Sequence, residues 1–580
     1  MGRKNMKLHQ MKTRFSKSKL AIALSASIAL VGCGGSGQDD GSPASKKQVS
    51  GLAIDGQLAR STVFADSNNN GTRDPWEIYA FTDNEGYYSY NPNTDTNYCA
   101  SNATLQELQY CLRLSSDFND VVIRIDGGYD ILTGEPFVGQ MSRRVDLETT
   151  SDTDIHVVSP ITSLLSNVDS TTDQQSLLTS LGLEESDLDV NYLDTEGAGA
   201  IDSNLLNTAL KIHKTVSLLS DRLTDTYTEI GDNVGTPNDA TSSIYPNLAQ
   251  KIISSESTLN ATLANTNFLA TVLDNAENEM RAIYERKEFT LPQDLGSPSS
   301  LGGLERIVNI ATRIPDVVDN LIVPSDLTLT QNEAKGGASA LETLVIKTIN
   351  EESDDSSIDN AINFFTDDGN DTLIQALTDS LSQGARDLSS IVSNDFTGDD
   401  FDTVEEIQAA STLPLDATPF SDVSGKQIKV SVLDLGSAGD LKDIEVEIYF
   451  EGDAGDLDGS LTSCVKYIDE ASRDETSQEI TLGDGNTRGE LVSGFWSLLG
   501  TSDTVTESYS LVLTISFLGT TYSAIMKPTG EETIDATLYQ KIRFDFDGDF
   551  ETYHSEDGLV DQDSVPTTNE ACETQLPLRV

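Results

Sequence analysis

The sequence predicts a multidomain α+β protein: an N-terminal β module, a central helical bundle and a C-terminal antiparallel β-sandwich or jelly roll. Three observations carry this. Short β-prone runs split by turn residues fill 51–150, apolar residues spaced 4-3-4-3-4 run through 205–223, and period-two alternation recurs from Ile428 onward. The 580 residues suffice for about three to four domains, each with its own core. Thirty-seven basic against 95 acidic residues give a net charge of −58. That balance lacks the basic footprint nucleic acids require, so no nucleic-acid partner is expected.

Residues 1–32 read as a signal peptide. Arg3, Lys4, Lys7, Lys12, Arg14, Lys17 and Lys19 open it without an acid, and an apolar stretch from Leu20 to Gly32 follows. That stretch is too short to span a membrane and remain there. It ends in Leu30-Val31-Gly32-Cys33, which resembles the lipobox of bacterial lipoproteins. The resemblance implies cleavage before Cys33, acylation of that residue with palmitate-type chains, and a membrane partner held through the lipid. Gly34-Gly35, in place of an Asp beside the cysteine, implies the outer membrane as the address. Cleavage would remove seven basic and no acidic residues, leaving a net charge of −65. Residues 33–50, rich in Gly, Ser and Asp, read as a flexible tether.

The β module, 51–150, holds the sharpest motif. Asp66, Asn68, Asn70, Asp74 and Glu77 occupy positions 1, 3, 5, 9 and 12 of a twelve-residue calcium loop, with Gly71 at the sharp turn and the Thr72 carbonyl at position 7. Its flanks, Ser61–Ala65 and Ile78–Phe81, are β-prone rather than helical. The loop followed by Thr82-Asp83-Asn-Glu-Gly86-Tyr-Tyr88 resembles the B-type repeats of bacterial surface proteins and the carboxypeptidase-regulatory-like modules. The likeness covers about forty residues. It implies a β-sandwich fold, calcium as the bound ion, and a stalk or presentation role rather than catalysis.

Cys99, Cys111, Cys464 and Cys572 remain after the lipobox cysteine. Four thiols in an exported chain make two bridges with three possible connectivities, of which pairing within one domain favours Cys99–Cys111 and Cys464–Cys572. No CxxC spacing exists to suggest a metal site among them.

From 155 to 393 a helical domain is expected. Leu205, Ala209, Ile212, Val216, Leu219 and Leu223 form an a/d stripe, with Asp202 or Ser203 as N-cap and Gly231 as stop. A second long helix is expected over Thr258–Arg286, and shorter ones over Leu304–Arg313, Ser339–Ile349 and Ile358–Ile391, the last broken near Asp367. An acidic linker, 394–418, precedes the C-terminal β domain, 419–580. There Ile428/Val430/Val432, Ile444/Val446/Ile448, Leu511/Leu513/Ile515 and Ile542/Phe544/Phe546 each mark one strand face. The acidic turns Asp453–Asp458 and Asp545–Asp549 lack full calcium-loop spacing and read as solvated turns.

No zincin, serine-hydrolase, P-loop or dinucleotide motif is present, so no catalytic residue is assigned. His213 reads as a flank contact of its helix, and His554, followed by Ser555, Glu556 and Asp557, reads as part of a turn after a strand, acid/base chemistry among those neighbours being the alternative. The sequence thus describes a calcium-stabilised surface lipoprotein for adhesion or presentation, with a glycan or another surface protein as ligand. The alternative is an extracellular polysaccharide-acting hydrolase. The aromatic group Phe495, Trp496, Tyr509 and Tyr522 separates the two: with Trp496 exposed in a groove it would serve sugar, with Trp496 buried it is core.

Overall fold

The computed structural model describes residues 46–194, 201–228, 236–286, 304–382 and, in segments, 423–572, apart from short breaks within those ranges. Cys33, Gly231 and the linker 394–418 lie outside the described residues. Helices and strands are both abundant, so the chain is of the mixed α+β class.

Two sheets organise the N-terminal part. One contains β3 (Thr62–Asp66), β4 (Tyr79–Phe81), β7 (Asp120–Asp126) and β8 (Gln140–Asp146), in the order β8-β7-β3-β4 with antiparallel neighbours. The other sets β2 (Ser50–Ala53) between β5 (Tyr87–Tyr88) and β9 (Ile155–Val158). A further pair joins β1 (Lys46–Gln48) to β6 (Arg113–Ser115), Lys46 lying opposite Ser115. The second sheet is apolar on both faces, and its strands alternate between two cores. Ala53, Tyr88 and Val158 enter the core shared with Val63, Ile123 and Met141 of the first sheet. Their chain neighbours Leu52, Tyr87 and Val157 enter the core built by the helices. Period-two geometry lets one sheet serve both layers.

This corrects two boundaries: Lys46–Gln48 and Ser50 are already strand residues, so the expected tether does not run to residue 50, and the helical region does not open at 155. Ile155–Val158 is a strand, paired in parallel with Ser50–Ala53, and completes the β module rather than opening the helical region. The helices that follow are α1 (Pro160–Leu165), α2 (Thr171–Leu181), α3 (Ser203–Thr228), α4 (Pro237–Ser255), α5 (Leu259–Leu263), α6 (Thr266–Arg286), α7 (Leu304–Ala311), α8 (Ile314–Leu321), α9 (Gln331–Ile349), α10 (Asp355–Thr366) and α11 (Asp371–Ser382).

In α3 the whole a/d stripe is at most 2% exposed, each Leu, Ile or Val contributing about 1.5–3 kcal/mol of burial. Asp202 caps it, its Oδ1 accepting from Leu205 N at 3.0 Å.

The helix expected from Ser339 begins already at Gln331; one further expectation needs correction, and one helix lies where none was expected. Thr258–Arg286 is two helices, because Asn265 Oδ1 accepts from Phe268 N at 3.1 Å and restarts the chain as a new N-cap. Helix α4 was hidden by Pro246, a residue that ordinarily breaks helix interiors. Here Ile244, Tyr245, Leu248 and Ile252 are buried around it, and that packing outweighs the lost backbone hydrogen bond.

In the C-terminal part, successive strands pair as a meander: β10 (Lys426–Leu433), β11 (Lys442–Phe450), β12 (Asp458–Ile468), β13 (Thr487–Leu499), β14 (Ser510–Phe517), β15 (Thr520–Ile534), β16 (Thr537–Phe546) and β17 (Asp549–Ser555). β17 returns to β10 through Ser431 and His554, so among the described residues the antiparallel pairings form one closed ring. That differs from the two stacked sheets of a sandwich or jelly roll. The four alternating segments identified strands correctly but carried no information on how the ends meet. Ile428, Val430, Phe450, Trp496, Leu511 and Ile542 share its core.

Cys464 and Cys572 are bonded, as are Cys99 and Cys111. The former pair lies with Tyr449 in a separate apolar cluster against which Val565 packs, so the bridge ties the C-terminal segment to the strands.

Candidate functional site

The loop Asp66–Glu77 connects β3 to β4 and is held by its own side chains. Asp66 Oδ1 accepts from Asn70 N at 3.0 Å and Oδ2 from Gly71 N at 2.9 Å. Gly71 has φ +80, the left-handed turn conformation that the motif reserves for glycine. Asn68 Oδ1 accepts from Asn70 N, and Asn70 Oδ1 from Thr72 N, at 3.1 and 2.8 Å. Glu77 closes the loop: Oε1 accepts from Ser67 N at 2.7 Å and Oε2 from Asp74 N at 3.1 Å. Thr72 is exposed, whereas Asp66 and Glu77 are buried.

The six predicted residues are therefore gathered in one loop. Their donor chemistry, all oxygen, suits a hard cation such as calcium. The link from the first carboxylate to the glycine amide also fixes the sharp turn such a site needs. Two features oppose immediate occupancy. The carboxamide nitrogens of Asn68 and Asn70 both donate to Asp74 Oδ2, at 2.8 and 3.1 Å, and would have to turn away for oxygen to face an ion. Among the described residues no three His, Cys, Asp or Glu side chains converge on a metal position.

Arg124, which the motif does not contain, completes the loop's surroundings. From β7 its Nε donates to Asp66 Oδ2 at 2.5 Å, one NH group donates to Gln140 Oε1 and the other to Asn69 Oδ1, both at 2.9 Å. Burial lowers the pKa of this guanidinium, while Asp66 and then Glu77 raise it. The signal in the sequence was an arginine inside the alternating apolar run Val121–Ile125, on the face opposite Ile123.

The turn after β4 is pinned by Asp83. Its Oδ1 accepts from Glu85 N and Tyr87 N, its Oδ2 from the Tyr98 hydroxyl and Asn91 Nδ2, all within 2.7–2.9 Å. Burial raises the Asp83 pKa against those four bonds. A cleft of about 410 Å³ lies between this turn and the insert closed by Cys99–Cys111, with Glu85 and Glu107 among its walls.

A second polar cluster lies between the β module and the helices. Asp55 and Asp130 meet His213 and Lys214 of α3 and Glu342 of α9. Lys214 is 2% exposed; its Nζ is 3.9 Å from Asp55 Oδ2 and ion-pairs closely with Glu342. Asp55 Oδ1 has no hydrogen-bond partner among the described residues. Three carboxylates thus share one ammonium. Burial pushes Asp55 up to about 7 and Asp130 up to about 6, with Lys214 opposing in each case. Desolvation alone would lower Lys214, yet Glu342, Asp55 and Asp130 together hold it above the ordinary lysine range.

His213 is a buried member of this cluster, not a flank contact. Its ring stacks on Phe137 at 5.4 Å, and burial holds its pKa well below the usual value. Nε2 lies 3.1 Å from Ser217 Oγ and 3.3 Å from Asp55 Oδ2. Both partners use the same nitrogen, so hydroxyl, imidazole and carboxylate do not form a relay, which engages opposite nitrogens. The sequence clue was Lys214, a cation in a long helix with no acid three or four residues away.

His554 stands in β17 opposite Lys541, while Glu556 and Asp557 lie outside the described residues. Asp453, Asp456 and Asp547 of the acidic turns also lie outside them, as does Tyr509. Trp496 is 0% exposed, its Nε1 donating to Glu451 O at 3.0 Å, and Phe450 packs against it edge-on at 6.1 Å. It is core. No described helix is long and apolar enough to cross a membrane. Comparison with known protein families, curated proteins and solved structures returns no match.

Proposed function

We propose that the protein is a non-catalytic lipoprotein of the outer membrane, anchored through Cys33, that presents a binding domain from a calcium-stabilised base. In this reading the base is a β-sandwich backed by the helical bundle, and the distal part is an eight-stranded antiparallel barrel. The observation that carries it is the Asp66 carboxylate spanning the Asn70 and Gly71 amides at the head of an all-oxygen loop. Such a loop has two closed forms, one held by its own amides and one by a cation, and the cation also relieves self-repulsion in a strongly anionic chain. The burial of Trp496 removes the sugar platform on which the hydrolase alternative leaned.

Thermal unfolding of the full mature chain in calcium, magnesium or chelator, at salt high enough to screen general repulsion, tests the calcium reading. Calcium should raise the midpoint more than magnesium does. Glu77→Gln and Gly71→Val should each reduce that difference. Equal shifts with both ions, or an unchanged response in Glu77→Gln, would leave the loop a turn and nothing more.

A further inference from the structure

Four large apolar side chains are exposed at one end of the first sheet: Trp76 (69%), Ile78 (39%), Tyr79 (42%) and Phe118 (39%). Their placement follows from the register. β3 ends at Asp66 opposite Val122, so the loop carrying Trp76 leaves the sheet where β7 begins, and Phe118 precedes β7 by two residues. Ile78 O accepts from Ala65 N at 3.1 Å at that same end. The chain enters the described fold there too. Lys46 is the strand partner of Ser115, three residues before Phe118. Lys46 lies thirteen positions after Cys33, so even fully extended that stretch reaches no further than about 45 Å.

We infer that this end of the β module is a bilayer-contacting face, with Trp76 seated at the headgroup level and the neighbouring apolar side chains beside it. The inference rests on Cys33 being the lipid anchor. The chemistry is that of an interfacial patch. An indole and a phenol place apolar area and a polar edge at the depth where both are satisfied. Aliphatic Ile78 adds area that a sugar-stacking platform would not use. Two cations stand at this end: Lys47 near the point of entry, and Arg73, whose guanidinium lies 4.5 Å over the Tyr79 ring, where phosphate groups would meet it. One acyl-bearing terminus and one weak interfacial patch together hold a body more firmly, and in one orientation, than either does alone.

The chain has two tryptophans, one exposed at this face and one fully buried, which makes its emission a direct probe. The mature chain carrying Cys33→Ser is mixed with vesicles of brominated phosphatidylcholine and phosphatidylglycerol in calcium buffer. Quenching of the emission is expected. It should vanish in Trp76→Phe, whose remaining indole is Trp496, and co-sedimentation should fall several-fold in Trp76→Ser. Fatty-acid labelling of the unmodified protein is followed in parallel. Labelling without vesicle quenching overturns the face and leaves the anchor standing; quenching without labelling supports the face and removes only the anchor. Quenching that persists in Trp76→Phe overturns the face. So does an emission change with soluble glycans in place of vesicles, which would make the patch a sugar platform.

Discussion

Arg124 Nε lies 2.5 Å from Asp66 Oδ2, so the leading carboxylate of the calcium-type loop is already bound by a guanidinium from a neighbouring strand. The pair is buried on both sides, at 8% and 0% side-chain exposure. It leaves Asp66 Oδ1 as the oxygen that can face the loop interior, and it cancels one of the loop's three negative charges.

Arg124→Gln should therefore do two opposite things. Removing one partner of a buried pair costs about 3–5 kcal/mol when the other charge stays unpaired. The loop also gains net negative charge and should bind calcium more tightly. The expected outcome is a lower midpoint in chelator and a wider gap between calcium and chelator than in the parent. A gap of unchanged width would show that Arg124 and the ion do not share Asp66.

Asp55 and Asp130 give the stability a definite pH dependence. Their pKa values are raised in the folded state, to about 7 and about 6, so the folded chain keeps protons that the unfolded chain releases near pH 4. Stability associated with these groups is full at the acid end. It declines as pH rises from about 4 through about 7, at up to about 1.4 kcal/mol per pH unit for each proton. His213, held low, runs against this: below about pH 6.5 the unfolded chain takes up a proton that the folded one refuses. Asp55→Asn should flatten the decline between pH 4 and 7 in denaturant titrations. An unaltered slope would place the titrating proton elsewhere.

Lys214→Met removes the only ammonium contacting Asp55 among the described residues. The loss should be on the order of 3–5 kcal/mol, the range for a broken buried pair. It should be larger at pH 8 than at pH 5, because at the lower pH protons can take over part of the neutralisation. A pH-independent loss would mean that the lysine acts through packing of its stem alone.

The loop formed by Cys464 and Cys572 spans a sequence separation of 108. On the chain-entropy account, closing it stabilises the C-terminal part by about 4–5 kcal/mol. The Cys464→Ser, Cys572→Ser double variant should unfold at lower denaturant. Limited proteolysis should release the segment carrying Val565 and Cys572 before the strands are cut. Retention of that segment would assign the docking to Tyr449 and Leu491 without the bridge.

Contiguity decided what could be read from the amino acids alone. The calcium-type motif occupies twelve successive positions and was visible as a pattern, as were the α3 stripe and the period-two strands. Arg124 lies 58 positions from its partner and became part of the site only through the β3–β7 register. Lys214 and Glu342 are 128 positions apart and meet because α3 and α9 pack. Helix α4 was not legible for a related reason: the local cost of Pro246 is offset by burial of its own helix face in the shared core. The ring of strands was hidden likewise, since alternation specifies a face and not which edge the last strand will find.

The pairing of β10 with both β11 and β17 has a bearing on how the protein is made. Its first strand waits for its second neighbour until almost the whole C-terminal part has emerged, and every shorter nascent chain presents two unsatisfied backbone edges. A stop codon or proteolytic nick before Ser555 would thus leave an adhesive ribbon instead of a slightly smaller domain. Folding of this part is tied to completion of the chain, and truncated forms are expected to accumulate as aggregates or be cleared.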